Sequence, residues 1–214
     1  MLQAVWSKPE AERADTPLLV MLHGYGADEQ YMAQHFQAMP QSFTCVAPRG
    51  GFDMDGIYGW FLLDYFLNND FAQVVSAANQ VFGWLDAELA KHRFSSVSLL
   101  GHSQGMAMAS TLLRLRQQSF AAVVGFSGFV LNNPLLGALE PLNHRVPFFW
   151  ARDEADLVIN PDAVEFTGEW LAENTLLQQE LYSGMGHSIG PAELIDASSF
   201  LTLKVPGSFR PSAS

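Results

Sequence analysis

"SLLGHSQGMAMAS", Ser98 to Ser110, changes character at its middle. Apolar residues stop at Gly101, a His-Ser-Gln turn follows, and small, helix-favouring residues begin after Gly105. A short, near-continuous apolar run suits a strand covered on both faces, and the residues beyond it suit a helix. A serine between two glycines at such a junction, G-x-S-x-G, is the pattern of a nucleophile elbow. The glycines permit a tight turn, and the serine is thrust out at the sheet edge. The next residue, Gln104, would offer its N–H at the helix start, where unpaired donors and the dipole favour an oxyanion.

The same alternation extends in both directions. Pro17 to Gly24, Thr44 to Gly50, Ala121 to Gly128, Val146 to Glu154 and the more polar Leu176 to Gly184 are short runs that join Ser96 to His102 as strands. Between them, Phe71 to His92 keeps apolar residues on one helical face (Phe71, Val74, Val75, Ala78, Val81, Phe82, Leu85, Leu89), with Asp70 as its cap. Asn160 followed by Pro161 starts another helix, and Gln104 to Gln117 and Pro191 to Leu203 fit two more. This order predicts an α/β fold, a mostly parallel central sheet flanked by helices, as one domain over residues 1–214. The tail from Val205 to Ser214 is expected to be flexible. Gly50 to Asp70 is loop-like by its glycines yet rich in aromatics, and loops of that length are often functional.

Composition narrows the function. With 214 residues, 49% of them hydrophobic, the chain can bury a large core. A formal net charge of -11 repels phosphate backbones and anionic membranes, which argues against nucleic-acid partners and stable membrane insertion. The single cysteine, Cys45, excludes an internal disulfide and reads as a small apolar strand residue. The N-terminus has neither a basic region nor a long apolar stretch of a secretory signal, and no apolar run is long enough to span a membrane. The expectation is a soluble, cytoplasmic protein.

A serine hydroxyl needs a base and an orienting acid. At an elbow of this kind they follow in the order Ser, Asp or Glu, His, at the ends of later strands. Of six histidines, His23, His35, His92 and His102 precede or sit within the wrong segments, and His144 lies ahead of a strand. His187, in "SGMGHSIG", alone follows the last strand, with glycines that let its loop fold back over the sheet edge. For the acid, "WARDEADLVIN" offers Asp153, Glu154 and Asp156. Asp156 is preferred because it stands beyond the strand and just before "LVI"; Asp153 is the runner-up. The turn "HGYG", His23 to Gly26, suggests the Tyr25 N–H as a second oxyanion donor.

These residues resemble the phospholipase/carboxylesterase family of small α/β-hydrolases, which includes bacterial carboxylesterases and acyl-protein thioesterases. "LHGYGADE", "VAPRG", "GWF", "GHSQG", "FSG", "DEADLVIN" and "GMGHSI" match in order, from Leu18 to about Phe200. The resemblance implies an α/β-hydrolase fold without a large lid domain and a Ser103, Asp156, His187 triad. It implies an oxyanion hole from the Tyr25 and Gln104 amides and activity without metal or cofactor. It favours Asp156 over Asp153 and sets Trp60 beside the substrate. Two departures stand out. Met106 replaces the second glycine of GHSQGG and would crowd the helix start or narrow the acyl site. "ARDEAD" replaces the usual HGxxD.

The expected function is a serine carboxylesterase, a lysophospholipase or an acyl-protein thioesterase, acting through an acyl-enzyme on Ser103. Its substrates would be small esters or thioesters of short-to-medium acyl chains. The pocket candidates are Trp60, Phe61 and Met106, with Phe52, Tyr58, Tyr65 and Phe66 of the aromatic stretch, whose apolar surface also suits a homodimer. Other classes remain: a non-catalytic binding protein of this fold, or a dienelactone-hydrolase-like or peptidase activity on it.

Overall fold

The computed structural model describes residues 2–63 and 71–205. Nine strands occur among them: β1 (Ala4–Trp6), β2 (Pro17–Leu22), β3 (Thr44–Pro48), β4 (Phe52–Met54), β5 (Ile57–Gly59), β6 (Ser96–His102), β7 (Val123–Phe126), β8 (Pro147–Asp153) and β9 (Leu176–Tyr182). The α-helices are α1 (Glu29–Ala33), α2 (Phe71–Lys91), α3 (Gln104–Leu115), α4 (Pro134–Gly137), α5 (Pro161–Asn174) and α6 (Pro191–Lys204). Seven strands form one sheet in the order β1-β3-β2-β6-β7-β8-β9, parallel except for the edge strand β1.

The continuous apolar runs exist because both faces of the sheet are covered. Leu18, Val20, Leu22, Leu99, Val123 and Phe148 face one core with α2, α3 and α5, while Leu19, Met21, Leu100, Val124 and Phe149 face a second with α1 and α6. Successive strand side chains alternate between faces, so a two-sided sheet needs apolar residues at every position. In α3 every residue from Gln104 to Arg114 is buried, which explains its weak polar face. Cys45 lies in the second core, 2% exposed, and burial pushes its thiol up to about 12, consistent with an inert strand residue.

The sequence reading places the elements well and their edges less so. Strand ends retreat by a few residues, as at β2, which stops at Leu22 rather than Gly24. In α2 the buried stripe includes Ala77, Trp84 and Glu88, whereas Leu89 is 37% exposed. Trp6 of β1 turns the stripe by packing its ring 6.5 Å from Trp84. The aromatic stretch is not a loop throughout. β4 and β5 pair antiparallel about Asp55 and Gly56, whose φ values of 57° and 91° suit a tight hairpin turn. The proposed cap Asp70 and the aromatics Tyr65 and Phe66 lie outside the described residues, as does the tail beyond Val205; Val205 itself is 2% exposed in the core. No helix among the described residues is long and apolar enough to cross a membrane.

One buried charge site makes the fold sensitive to pH. Glu193 in α6 is 0% exposed, accepts from the Gly190 N–H at 3.2 Å through Oε2, and leaves Oε1 without a partner among the described residues. Burial pushes its carboxyl from the ordinary value of 4.5 up to about 8. Between those values the unfolded chain is ionised here while the folded chain keeps its proton, so stability falls as pH rises through the window and levels off outside it. Glu193→Gln cannot ionise. Relative to the native chain it is expected to gain about 3 kcal/mol between acid and neutral pH. Urea unfolding at both pH values checks this; an advantage of equal size at both would refute it.

Candidate active site

The elbow is visible in the backbone. Ser103 joins β6 to α3 with φ 54° and ψ -120°, a left-handed conformation that costs a non-glycine residue about 1–3 kcal/mol. The flanking glycines are required by space. A Cβ on Gly101 would overlap the Gly105 carbonyl, and one on Gly105 would overlap the Leu22 carbonyl of the adjacent strand. The Ser103 N–H donates to the Phe126 carbonyl at 2.9 Å, which anchors the turn to β7.

The structure brings Ser103, His187 and Asp156 together. Ser103 Oγ lies 2.9 Å from His187 Nε2, and His187 Nδ1 lies 2.9 Å from Asp156 Oδ2. With Nδ1 donating to the carboxylate, Nε2 is left to accept from the serine hydroxyl. The Asp156 side chain is fully buried and its Oδ1 accepts from the Val158 N–H at 2.9 Å, whereas His187 keeps some exposure. The Asp156 carboxylate is thus fixed and desolvated, while the imidazole stays partly open.

Asp153, the runner-up, has a different place. β8 continues through it, and it is 1% exposed. Its carboxylate accepts from the N–H groups of Ala155 at 2.8 Å, Gly186 at 2.8 Å and Met185. These donors, Ala155 first, hold its carboxyl below the usual range. One side chain therefore ties the loop carrying Asp156 to the loop carrying His187. Sequence reasoning had weighed Asp153 only as an acid. Glu154, the remaining carboxylate of the run, is exposed.

On the opposite side, the motifs clasp one another through buried polar groups. Gln104 Oε1 accepts from the Trp60 N–H at 2.9 Å, and its Nε2 donates to the Phe61 carbonyl at 2.6 Å. Trp60 Nε1 donates to the His23 carbonyl, and His23 Nε2 accepts from the Gly50 N–H. Burial lowers the His23 pKa, which suits its acceptor role. The Gly26 N–H donates to the Tyr58 carbonyl, so the β4–β5 hairpin braces the "HGYG" turn. Gly24 is needed for the approach, since a Cβ there would stand 3.2 Å from Ser103 Cβ. Among the described residues neither the Tyr25 nor the Gln104 amide donates to the chain, which leaves both available to an oxyanion.

A cavity of about 590 Å³ opens at Ser103. Tyr25, Leu63, Phe129, Val130, Ile159 and Phe166 supply much of its apolar wall, with polar groups from Asn132, Asn160 and Asp162. The three sequence candidates do not line it. Trp60 and Phe61 are 3% and 1% exposed and face a separate cavity of about 200 Å³ with Phe52. They act through their backbone contacts to Gln104. Met106 is 0% exposed and fills the space left by Gly125 and Gly128 of β7 and its following loop. It is a core residue, and the substitution for glycine is compensated by glycines across the helix–sheet contact. Met106→Ala is expected to cost about 3 kcal/mol of stability, read by denaturant melting, while kcat/KM changes little. A large change in acyl preference with unaltered stability would contradict that placement.

Apart from Ser103, Tyr25 and Leu63, the lining residues follow β7 and β8, in "GFVLNN" and "VINPDAVEF", where no residue type by itself marks a pocket wall. Their signal was positional, since ligands in α/β sheets bind beyond the carboxyl ends of strands. Among the described residues no group of three or more His, Cys, Asp or Glu side chains is arranged to hold a metal.

The chain is similar in sequence and fold to known proteins. The Phospholipase/Carboxylesterase family model matches residues 6–205. Acyl-protein thioesterase 1 of Yarrowia lipolytica is 24% identical over 212 residues, covering 89% of this chain and 93% of that protein. Among solved structures, the esterase PE8 has a TM-score of 0.80 with 25% identity, covering 95% of this chain and 99% of that one. The Bacillus cereus carboxylesterase has a TM-score of 0.77 at 16% identity, over 95% of each chain, a likeness of fold.

Proposed function

Because the chain belongs to the phospholipase/carboxylesterase family, we propose that it is a serine hydrolase of carboxylic esters or thioesters, working through an acyl-enzyme on Ser103. The observation that carries this is the hydrogen-bonded sequence Ser103, His187, Asp156 at the mouth of the cavity. A serine that were only a turn residue would have no need of a base at 2.9 Å and a buried carboxylate behind it.

In the first step His187 Nε2 takes the Ser103 proton as Oγ attacks the carbonyl carbon. The carbonyl oxygen gains the negative charge and is received by the Tyr25 and Gln104 amides, the second of which stands at the N-terminus of α3. Asp156 stabilises the imidazolium and fixes its tautomer. The imidazolium then protonates the leaving alcohol or thiol, and the acyl group remains on Ser103. Water, deprotonated by His187 Nε2, then attacks the acyl carbon with the oxyanion held at the same amides; the acyl–Oγ bond breaks as the imidazolium returns that proton to Ser103 Oγ, and the acid leaves. Every proton and electron pair is handled by groups of this chain, the substrate and one water.

The apolar wall suits an acyl chain of short to medium length. The thioester form of the reading is favoured by the Yarrowia relative, whose name is that of a thioesterase. A fluorophosphonate probe should label the native protein at Ser103 and fail to label Ser103→Ala, and p-nitrophenyl esters of graded length should be turned over with an optimum in the medium range. Failure to label the native chain would favour a non-catalytic binding protein.

A further inference from the structure

The start of α5 forms part of the cavity wall, and its first turn carries a carboxylate, Asp162. Asn160 is the N-cap, and its Oδ1 accepts from the Asp162 N–H at 2.8 Å. Asn160, Asp162 and Ala163 all line the cavity. A helix N-terminus ordinarily draws anions, through unpaired N–H groups and the dipole. Here the cap side chain takes one of those donors, and the Asp162 carboxylate sets a full negative charge against the partial positive one. Apart from the helix dipole, no cationic side chain of the cavity wall offsets that carboxylate. No Lys, Arg or His lines the cavity, and among the described residues no ion pair includes Asp162. The rest of the wall is largely apolar and would give a buried anion no hydrogen-bonding compensation beyond Asn132.

We propose that Asp162 is a specificity-determining residue that makes the acyl cavity selective by charge: it accepts uncharged acyl chains and rejects those ending in a carboxylate. This rests on the serine-hydrolase reading of the same site. Asp162 touches no reacting atom; it acts on the remote end of the chain. Asp162 is exposed, so its electrostatic effect is screened by solvent and weakens with ionic strength.

The test uses two esters that differ only at that end, p-nitrophenyl hexanoate and mono-p-nitrophenyl adipate, in which a carboxylate replaces the terminal methyl. The ratio of their kcat/KM values is measured for the native protein, Asp162→Asn and Asp162→Lys, at low and high ionic strength. The preference for hexanoate is expected to fall about tenfold in Asp162→Asn at low salt and further in Asp162→Lys, with the difference between variants shrinking at high salt. A ratio that is the same in all three proteins overturns the proposal, even if both rates fall together, as they would were Asp162 only supporting the helix start. Turnover of both esters that depends on Ser103 with an unchanged ratio overturns the charge selection alone. Absence of turnover of either ester by the native protein overturns the hydrolase reading, and this one with it.

Discussion

Ser103→Ala is expected to lower kcat/KM for a p-nitrophenyl ester by about ten-thousandfold or more, with the fold intact. Loss of Oγ removes the hydroxyl that His187 Nε2 meets and leaves the Tyr25 and Gln104 amides and the cavity in place. The residual rate then comes from binding and the Tyr25 and Gln104 amides. KM should move far less than kcat, because the cavity wall is unaltered. Stability should hardly change, since alanine bears the same left-handed strain at φ 54° as serine. Ser103→Gly would be equally inactive but more stable, by about 1 kcal/mol, because glycine adopts that φ without a Cβ penalty. Initial rates and thermal melts on the two variants test both halves. An alanine variant within tenfold of the native rate would remove Ser103 from the chemistry.

Asp156→Asn should come close to that loss, about ten-thousandfold in kcat. The amide keeps the shape of the carboxylate, but its NH₂ can face His187 Nδ1 only as a donor. The imidazole would then carry its proton on Nε2 and point it at Ser103 Oγ, so the base is in the wrong tautomer. Asp153→Asn offers the contrast. Asp153 meets backbone N–H groups of Ala155, Met185 and Gly186 and not the ring. An amide would set a donor against one of those donors, loosen both loops and displace His187 slightly. A displacement on the order of 1 Å corresponds to about a hundredfold in rate, with a lowered melting temperature. Rates and melts of the two variants side by side decide the assignment; equal losses of kcat with equal melting would mean that the two aspartates share one role.

The division between these aspartates shows where sequence reading stops. Chain order and motif identify Ser103, His187 and the stretch that holds the acid, because those residues must follow strands in a fixed sequence. The apolar run Val146 to Glu154 already carries the strand through Asp153, but spacing alone cannot say that Asp153 turns inward to the loop of His187. That is settled by pairing with β9, where Asp153 lies opposite Tyr182. The hairpin β4–β5 was marked by Asp55-Gly56, a turn signal hidden among aromatics. The short helices α1 and α4 and the three-residue β1 carry too little periodicity to be read.

Met106 and Trp60 teach the same point from the other direction. Each is apolar and close in sequence to a motif, which is all that chain position can say of a pocket residue. Their direction depends on partners distant in sequence. Met106 turns toward Gly125 and Gly128, and Trp60 is held by His23 and Gln104.

The layered α/β fold and the residues proposed to react are legible in the chain alone. Two-sided burial demands continuous apolar strands, and the elbow demands glycines on both sides of Ser103. Which side chains line the cavity at Ser103 becomes clear only in three dimensions. The cavity wall is assembled from Tyr25 and Leu63, the loops after β7 and β8 and the start of α5, and its members share a surface without sharing a pattern. A wall of that kind is a product of packing in space, and its charge, set by Asp162, is legible only once the strands have brought α5 beside Ser103.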